Sequence, residues 1–305
     1  MKFKYSLDNK RYHTLNYYYK NLFNEKIIKI SLNAGFSCPH LKSGGCIYCS
    51  NLGSGEYAGN KNDDLVTQFN EGKKLMNKWQ GKYIGYFQAR TNTYAPVNIL
   101  KEKYETILKL DDVIGLAIAT RPDSISEECL EYLSELNKKT FLTVELGLQT
   151  IHEKTALLIN RGHSLDCFVD MVNKLREKNI NVVVHIINGL PYETKNMMIE
   201  TVKFLNKLDI QGIKIHMLHI LKNTKLEKIY QNNPFPLLTK DQYIEIVCEQ
   251  LRYLRPEIVI HRLTGDPKEE DLIEPKWTLK KIDVLNGIDK YMKKNNIFQG
   301  DYINL

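Results

Sequence analysis

Three cysteines share one short stretch, SCPHLKSGGCIYCSN at residues 37–51, with the spacing Cys38-x7-Cys46-x2-Cys49. A Cys-x2-Cys pair brings two sulfurs to one metal centre, and Gly44 and Gly45 permit the tight backbone turns that let a third thiol join them. Two chemistries use such a set. A zinc site takes a fourth ligand, which His40 is near enough in sequence to supply. A 4Fe-4S cluster held by three cysteines leaves one iron open to a non-protein ligand, as a catalytic cluster requires. Taken alone, the loop leaves both open, beside the reading that the thiols are simply buried. Cys129, Cys167 and Cys248 sit among apolar neighbours at helical spacing and read as small core residues.

Other residues invite chemistry less directly. Glu145 is an acid inside an otherwise apolar segment, where an unpaired charge costs several kcal/mol, on the order of the buried-ion penalty. His163, near a helix start, is either a catalytic or substrate-binding group or a structural hydrogen-bonder. His216 and His219 have His-x-x-His spacing, but on a strand an offset of three places them on opposite faces and argues against a shared metal. The GSG at 53–55 lacks the further glycine and the preceding strand of a dinucleotide fingerprint.

These residues must be positioned by elements that alternate. Short, apolar, β-branched segments at 26–33, 82–88, 113–119, 141–148, 181–188 and 212–220 predict strands buried on both faces. Between them, apolar residues recur at helical spacing: Val66, Phe69, Met76 and Trp79 over 63–79, with Asn62 or Asp63 as cap; Ile99, Leu100, Tyr104, Ile107 and Leu108 over 98–110; Cys129, Leu133 and Leu136 over 123–139. The pattern continues with Phe168, Met171, Val172 and Leu175 after Ser164, a helix over 193–208, and Tyr243, Ile246, Val247 and Leu251 after Thr239. Six βα units result, which fit an open doubly wound sheet or a barrel. In either, chemistry belongs at the C-terminal ends of the strands, and the cysteine loop directly follows the first. Structural zinc modules do not usually occupy that position, which moves the reading toward a catalytic cluster.

With 305 residues, 43% hydrophobic and 26% charged, the chain is long enough for a full core and shows no linker or repeat. Its apolar runs are too short to cross a bilayer, and its N-terminus lacks the apolar region of a secretory signal, so no membrane association and a cytoplasmic location are expected. The net charge of +7 fits either a polyanionic partner or a lysine-, asparagine- and isoleucine-rich compositional bias. Arg11, Tyr12, Tyr17, Tyr18, Tyr19 and Lys20 near the N-terminus combine stacking faces with phosphate partners, or form an amphipathic arm packed on the barrel.

The cysteine loop, GYFQARTNTYAP at 85–96, IATRPDSI, VELGLQT followed by NRGHS, HIINGLPYET, and HRLTGD with PKWTLKKIDVLNGID, in this order, resemble the radical S-adenosylmethionine (SAM) superfamily. Within it they are similar to the Fe-S oxidoreductases related to the radical domain of the Elongator catalytic subunit, over roughly residues 10–300. The superfamily's commonest spacing is Cys-x3-Cys-x2-Cys; the longer first gap here is usual in the Elongator-like branch. The acetyltransferase domain of Elongator has no counterpart in the sequence, and that activity is not carried over.

The resemblance implies an α/β fold: a partial (β/α)6 radical SAM barrel at 26–255, in a single domain with a basic, aromatic extension at 1–25 and a C-terminal extension at 256–305 packed on the barrel. It implies a 4Fe-4S cluster on Cys38, Cys46 and Cys49 and S-adenosylmethionine on the open iron, cleaved after one-electron reduction to methionine and a 5′-deoxyadenosyl radical, with the protein supplying geometry and shelter. Tyr48 matches the aromatic position near the adenine. Gln88 and Thr91 stand where the superfamily has a glycine-rich SAM-contacting motif, although the usual Gly-Gly-Glu is absent. Glu145, Gln149, Arg161, His185 and Asn188 are implied SAM contacts, Arg161 through its guanidinium fork. No catalytic residue is fixed; His163, Lys214 and His216 are candidates. The branch implies a tRNA substrate, remodelling of a wobble-uridine 5-carboxymethylaminomethyl group toward aminomethyl, and reduced flavodoxin or ferredoxin as electron donor. The alternatives are a radical SAM oxidoreductase acting on a peptide or small metabolite, and a non-catalytic, zinc-stabilised RNA-binding protein.

Overall fold

The computed structural model describes residues 3–50, 53, 57–76 and 81–303. Trp79 and the Ser54–Gly55 part of the GSG stretch lie outside them. The six expected strands are present: β1 (Ile27–Leu32), β2 (Lys82–Phe87), β3 (Val113–Thr120), β4 (Phe141–Gln149), β5 (Asn181–Asn188) and β6 (Gly212–Met217). A short antiparallel pair, β7 (Ile220–Leu221) with β9 (Leu272–Glu274), stands apart, and β8 (Val259–Arg262) adds a seventh strand to the sheet. The order is β1-β2-β3-β4-β5-β6-β8, parallel throughout. The seventh strand comes from 256–305, so that segment completes the sheet as well as covering it.

Helices α1 (Leu15–Phe23), α2 (Leu65–Leu75), α3 (Val97–Leu108), α4 (Glu127–Asn137), α5 (Glu153–Leu158), α6 (Leu165–Glu177), α7 (Lys195–Leu205), α8 (Lys225–Asn232), α9 (Lys240–Tyr253) and α10 (Lys281–Lys294) connect and cover the strands. Their apolar stripes, including Phe69, Leu100, Tyr104, Leu133, Phe168, Leu175, Val247 and Leu251, form the main core with the outer face of the sheet. Ser164 and Thr239 cap α6 and α9 as their sequences predict. The cap of α2 is Asp64, whose carboxylate accepts from the Val66 and Thr67 amides; the helix stops at Leu75, leaving Met76 exposed instead of inward. Cys129 and Cys248 are core thiols, whereas Cys167, in the first turn of α6, is half-buried.

The sheet curls into a half-barrel. Its two edge strands, β1 and β8, do not pair, yet both touch α1, and Lys29 Nζ on β1 reaches His261 Nδ1 on β8 at 3.4 Å. At the N-terminal ends of the strands, Tyr19, Tyr18, Leu15 and Phe23 pack on Ile27, Ile84, Ala117 and Phe141 and close the barrel floor. Phe141 meets Phe23 and Tyr19 edge-on at 5.3 and 6.1 Å. The aromatic N-terminal segment is thus an amphipathic arm packed on the barrel: Tyr12 and Tyr19 are buried, and Tyr17 and Tyr18 pack on His13. No helix among the described residues is long and apolar enough to cross a membrane.

Candidate active site

At the C-terminal ends of the strands lies a cavity of about 470 Å³ lined by all three clustered cysteines and by residues from β2 to β6 and the loop after β8. The chain leaves β1 into the cysteine loop, makes a turn of 3-10 helix at Pro39–Ser43, and reverses through Gly44 and Gly45, both in the left-handed region at φ 89° and 67°. The loop is pinned to the connection after α5. His40 Nε2 lies 2.7 Å from the Asn160 carbonyl, the Asn160 side chain donates to the Gly45 carbonyl at 2.7 Å, and the Ile47 amide donates to Ile159 at 3.0 Å. Gly162 allows the close approach, since a Cβ there would fall 2.3 Å from the His40 ring. His40 is buried, engaged with backbone, and not on the cavity wall.

The donor set fits a cluster. Cys38, Cys46 and Cys49 face one cavity, and Cys46 Sγ lies 3.9 Å from the Arg161 carbonyl. Burial pushes the Cys46 thiol up, while Tyr48 and Arg121 pull it toward the thiolate. Arg121 donates to both oxygens of Asp123, at 2.9 and 2.7 Å, and to the Arg161 carbonyl at 2.9 Å, so its charge is fixed beside the thiols. Among the described residues no three Cys, His, Asp or Glu side chains are grouped to hold a single metal ion. A four-iron cube takes each thiolate on a different iron and needs its sulfurs spread apart. Tyr48, beside Cys49, is half-buried against the small apolar cluster of Ile47, Ile159 and Leu218.

Below the thiols, a charged layer crosses the barrel. Glu145 is almost fully buried on β4; Lys29 Nζ lies 3.0 Å from its Oε1, and His185 Nε2 lies 2.8 Å from Oε2, where Lys214 also binds. Lys214 Nζ donates to Tyr86 Oη at 2.9 Å and stands over the ring. Burial alone would raise the Glu145 carboxyl, but Lys214, Lys29 and His185 hold it well below the usual range. Burial lowers the Lys214 ammonium to about 7, with Glu145 opposing and Lys29 reinforcing. His185 is lowered by burial and by Lys214. An anion is thus held between cations, the arrangement that makes a buried charge tolerable.

Of the residues singled out in the sequence, Tyr48, Gln88, Thr91, Glu145, Gln149, His163, His185, Lys214 and His216 line this cavity. Gln149 sits at the irregular end of β4 with φ 64°, beside Gly147. His163 has its ring nitrogens 3.1 Å from the Gly147 carbonyl and 3.2 Å from Ser164 O, and burial lowers it to about 4. Two implied contacts are corrected. The Arg161 guanidinium is turned away from the cavity, donating to the carbonyls of Leu148, Thr150 and His163 and to Glu153; it ties down the chain after β4. Asn188 pairs with the Gln250 side chain through two hydrogen bonds of 2.8 and 2.9 Å and does not line the cavity. The opposite-face expectation for His216 and His219 also fails: β6 ends at Met217, the chain turns, and both histidines reach the wall. Sequence reasoning missed Lys29, Tyr86, Arg121, Arg262 and Asp266. The first two lie at inward positions of strands, where the period-two pattern shared with Glu145 was the available signal.

Residues 37–205 match the model of the Radical SAM superfamily, and residues 210–294 match that of the Radical_SAM C-terminal domain. The chain is 51% identical to the protein YtqA of Bacillus subtilis, covering 98% of this chain and 95% of that one. It is 29% identical to the protein YhcC of Escherichia coli K12, covering 90% of each. Elongator complex protein 3 of Bos taurus is 25% identical over 63% of this chain, which spans 35% of that protein. In fold, the chain superposes on the archaeal Methanocaldococcus infernus Elp3 with an N-terminal deletion at a TM-score of 0.69, with 17% identity, covering 90% of this chain and 64% of that one. The superfamily uses a 4Fe-4S cluster and SAM, and the thiol-lined cavity described above fits both. With matches that take in the cysteine loop, the charged layer and the segment after β6, the chain belongs to the radical SAM superfamily.

Proposed function

We propose that this radical SAM enzyme acts on the wobble uridine of tRNA, remodelling a 5-carboxymethylaminomethyl group toward aminomethyl. The observation that carries the reading is the charge of the cavity wall: among the described residues, Arg90, Arg121, Lys214, Lys225 and Arg262 stand against Glu145 and Asp266. Such a wall favours an anionic substrate and agrees with the net charge of +7. More distant relatives carry the name tRNA uridine(34) acetyltransferase; one from Methanocaldococcus infernus is 24% identical over 60% of this chain, which spans 34% of that protein. The aromatic N-terminal arm lends no support, because Tyr18 and Tyr19 pack on the barrel floor, Tyr12 lies in the main core and Tyr17 packs on His13.

When bound, the cluster and SAM supply hydrogen-atom abstraction from an unactivated C–H bond. The chain's part is positioning. Cys38, Cys46 and Cys49 would hold the cluster; Tyr48, Gln88, Thr91 and Gln149 line the same cavity and would contact SAM. Glu145 has three of its roughly four acceptor positions filled, so it serves chiefly to hold Lys214 and His185 in place. The electron comes from a reduced flavodoxin or ferredoxin, and the setting is the cytoplasm.

Comparing tRNA nucleosides from a deletion strain and its parent by mass spectrometry tests the substrate. Accumulation of the carboxymethylaminomethyl nucleoside at the expense of aminomethyl is expected. An unchanged wobble-uridine profile would reject tRNA and return the peptide or small-metabolite reading.

A further inference from the structure

The β6–β8 side of the cavity carries polar atoms that neither the cluster nor the Glu145 layer engages. The Nε2 atoms of His216 and His219 are buried and have no hydrogen-bond partner among the described residues, although both side chains line the cavity. Buried ring nitrogens are rarely left in this condition without a ligand or water to meet them. Between β8 and this wall stands Arg262. Its one ion pair among the described residues is a long contact of 3.5 Å to Asp266, whose carboxylate is bound more closely by Lys281, at 2.5 Å. The guanidinium fork is therefore only loosely held and faces the cavity.

The site is built, not incidental. Thr264 is buried, and Tyr243 Oη donates to the Leu263 carbonyl at 3.0 Å, fixing the loop after β8. Gly265 lets that loop lie against His219: a Cβ there would stand 2.3 Å from the ring. The His216 ring leans on His185 at 5.3 Å between centroids. Burial holds both His216 and His219 neutral, with Arg262 pushing in the same direction. With the proton on Nε2, two neutral imidazoles and one guanidinium offer two single donors and a fork with one positive charge.

We infer that His216, His219 and Arg262 form a subsite for a carboxylate of the substrate. A monoanion matches the single charge, and the fork matches the two oxygens of a carboxylate. Asp266 beside Arg262 opposes the second charge of a phosphate. The inference rests on the wobble-uridine reading for the identity of that carboxylate, the carboxymethyl end of the uridine substituent. Its removal in the product would empty the subsite, so the wall distinguishes substrate from product.

Two measurements on the cluster-loaded, SAM-bound enzyme test this. In the first, affinities are compared for tRNA bearing carboxymethylaminomethyluridine and tRNA bearing aminomethyluridine. The wild-type chain prefers the former, and Arg262→Gln removes the preference by about 10- to 100-fold, through KM more than kcat, with partial rescue by Arg262→Lys. SAM affinity, measured in parallel, moves little; a large fall in SAM affinity with the preference intact would assign Arg262 to the cofactor and overturn the subsite. In the second, N-methylglycine is titrated while the 15N signals of the histidine rings are followed. Shifts at His216 and His219 that vanish in Arg262→Gln are expected, and unmoved rings overturn the proposal. If the wild-type chain turns over neither tRNA, the wobble-uridine reading falls, and the histidine titration decides the subsite by itself.

Discussion

The two ends of the barrel interior are built from opposite materials. At the N-terminal ends of the strands, Tyr19, Phe23, Phe141 and their neighbours fill the space with rings. At the C-terminal ends the interior is an open cavity of about 470 Å³, with unpartnered histidine nitrogens and a left-handed Gln149 on its wall. The Glu145 layer separates them. Ring packing fills the end where no chemistry occurs, while the other end keeps its wall polar and its space open; a fold that stabilises one end can leave the other open to ligands.

Substitutions at the two ends should therefore separate function from stability. The largest effect is expected at the open end: Cys46→Ala or Cys49→Ala abolishes 5′-deoxyadenosine formation and lowers bound iron from about four per chain, measured after anaerobic reconstitution. Retention of SAM cleavage would detach the chemistry from this loop. At the closed end, Tyr19→Ala costs about 3–5 kcal/mol in denaturant unfolding, as other large aromatic truncations do, while the folded fraction still cleaves SAM. A loss of cleavage in that fraction would break the separation.

The layer between them sharpens it. Glu145→Gln leaves Lys29 and Lys214 without their anion and costs about 3–5 kcal/mol at neutral pH. The carboxyl is held below its ordinary range in the folded state, so its contribution is fully present above about pH 4.3 and is lost as pH falls through the lower, folded value. The stability gap between wild type and Glu145→Gln should accordingly narrow on acidification, as read from urea midpoints. A gap independent of pH would show that shape, not charge, is what Glu145 provides. The smallest effect is expected from His40→Ala, which loses one buried hydrogen bond, about 1–3 kcal/mol, and keeps its iron. Loss of iron in that variant would show that His40 is needed to hold the centre.

Local features were the most legible in the sequence. The thiols declare themselves because they are close along the chain, and the alternation of strands and helices follows from periodicity that each segment carries by itself. What escaped depends on distant partners. The seventh strand, VIHR, is four residues long and half polar, and only its pairing with β6 makes it a strand. Lys29 reads as a surface lysine until the sheet curls and brings Glu145 to it. Arg161 reads as a ligand-binding fork because nothing in the sequence shows that the carbonyls of Leu148 and Thr150 turn toward it. His219 needed the end of β6 three residues earlier than its apolar run implied.

The closed floor also bears on how the chain is made. Helix α1 is synthesised before any strand, yet its seat includes Phe141 in the middle of the chain, and Thr14, which caps it, bridges to Ile260 on the last strand of the sheet. The helix must wait through translation of nearly the whole sheet before its final contact exists, with Leu15, Tyr18, Tyr19 and Phe23 meanwhile uncovered. The floor thus closes late, and the arm that carries α1 is completed later still, when Gln299 reaches Arg11 and His13.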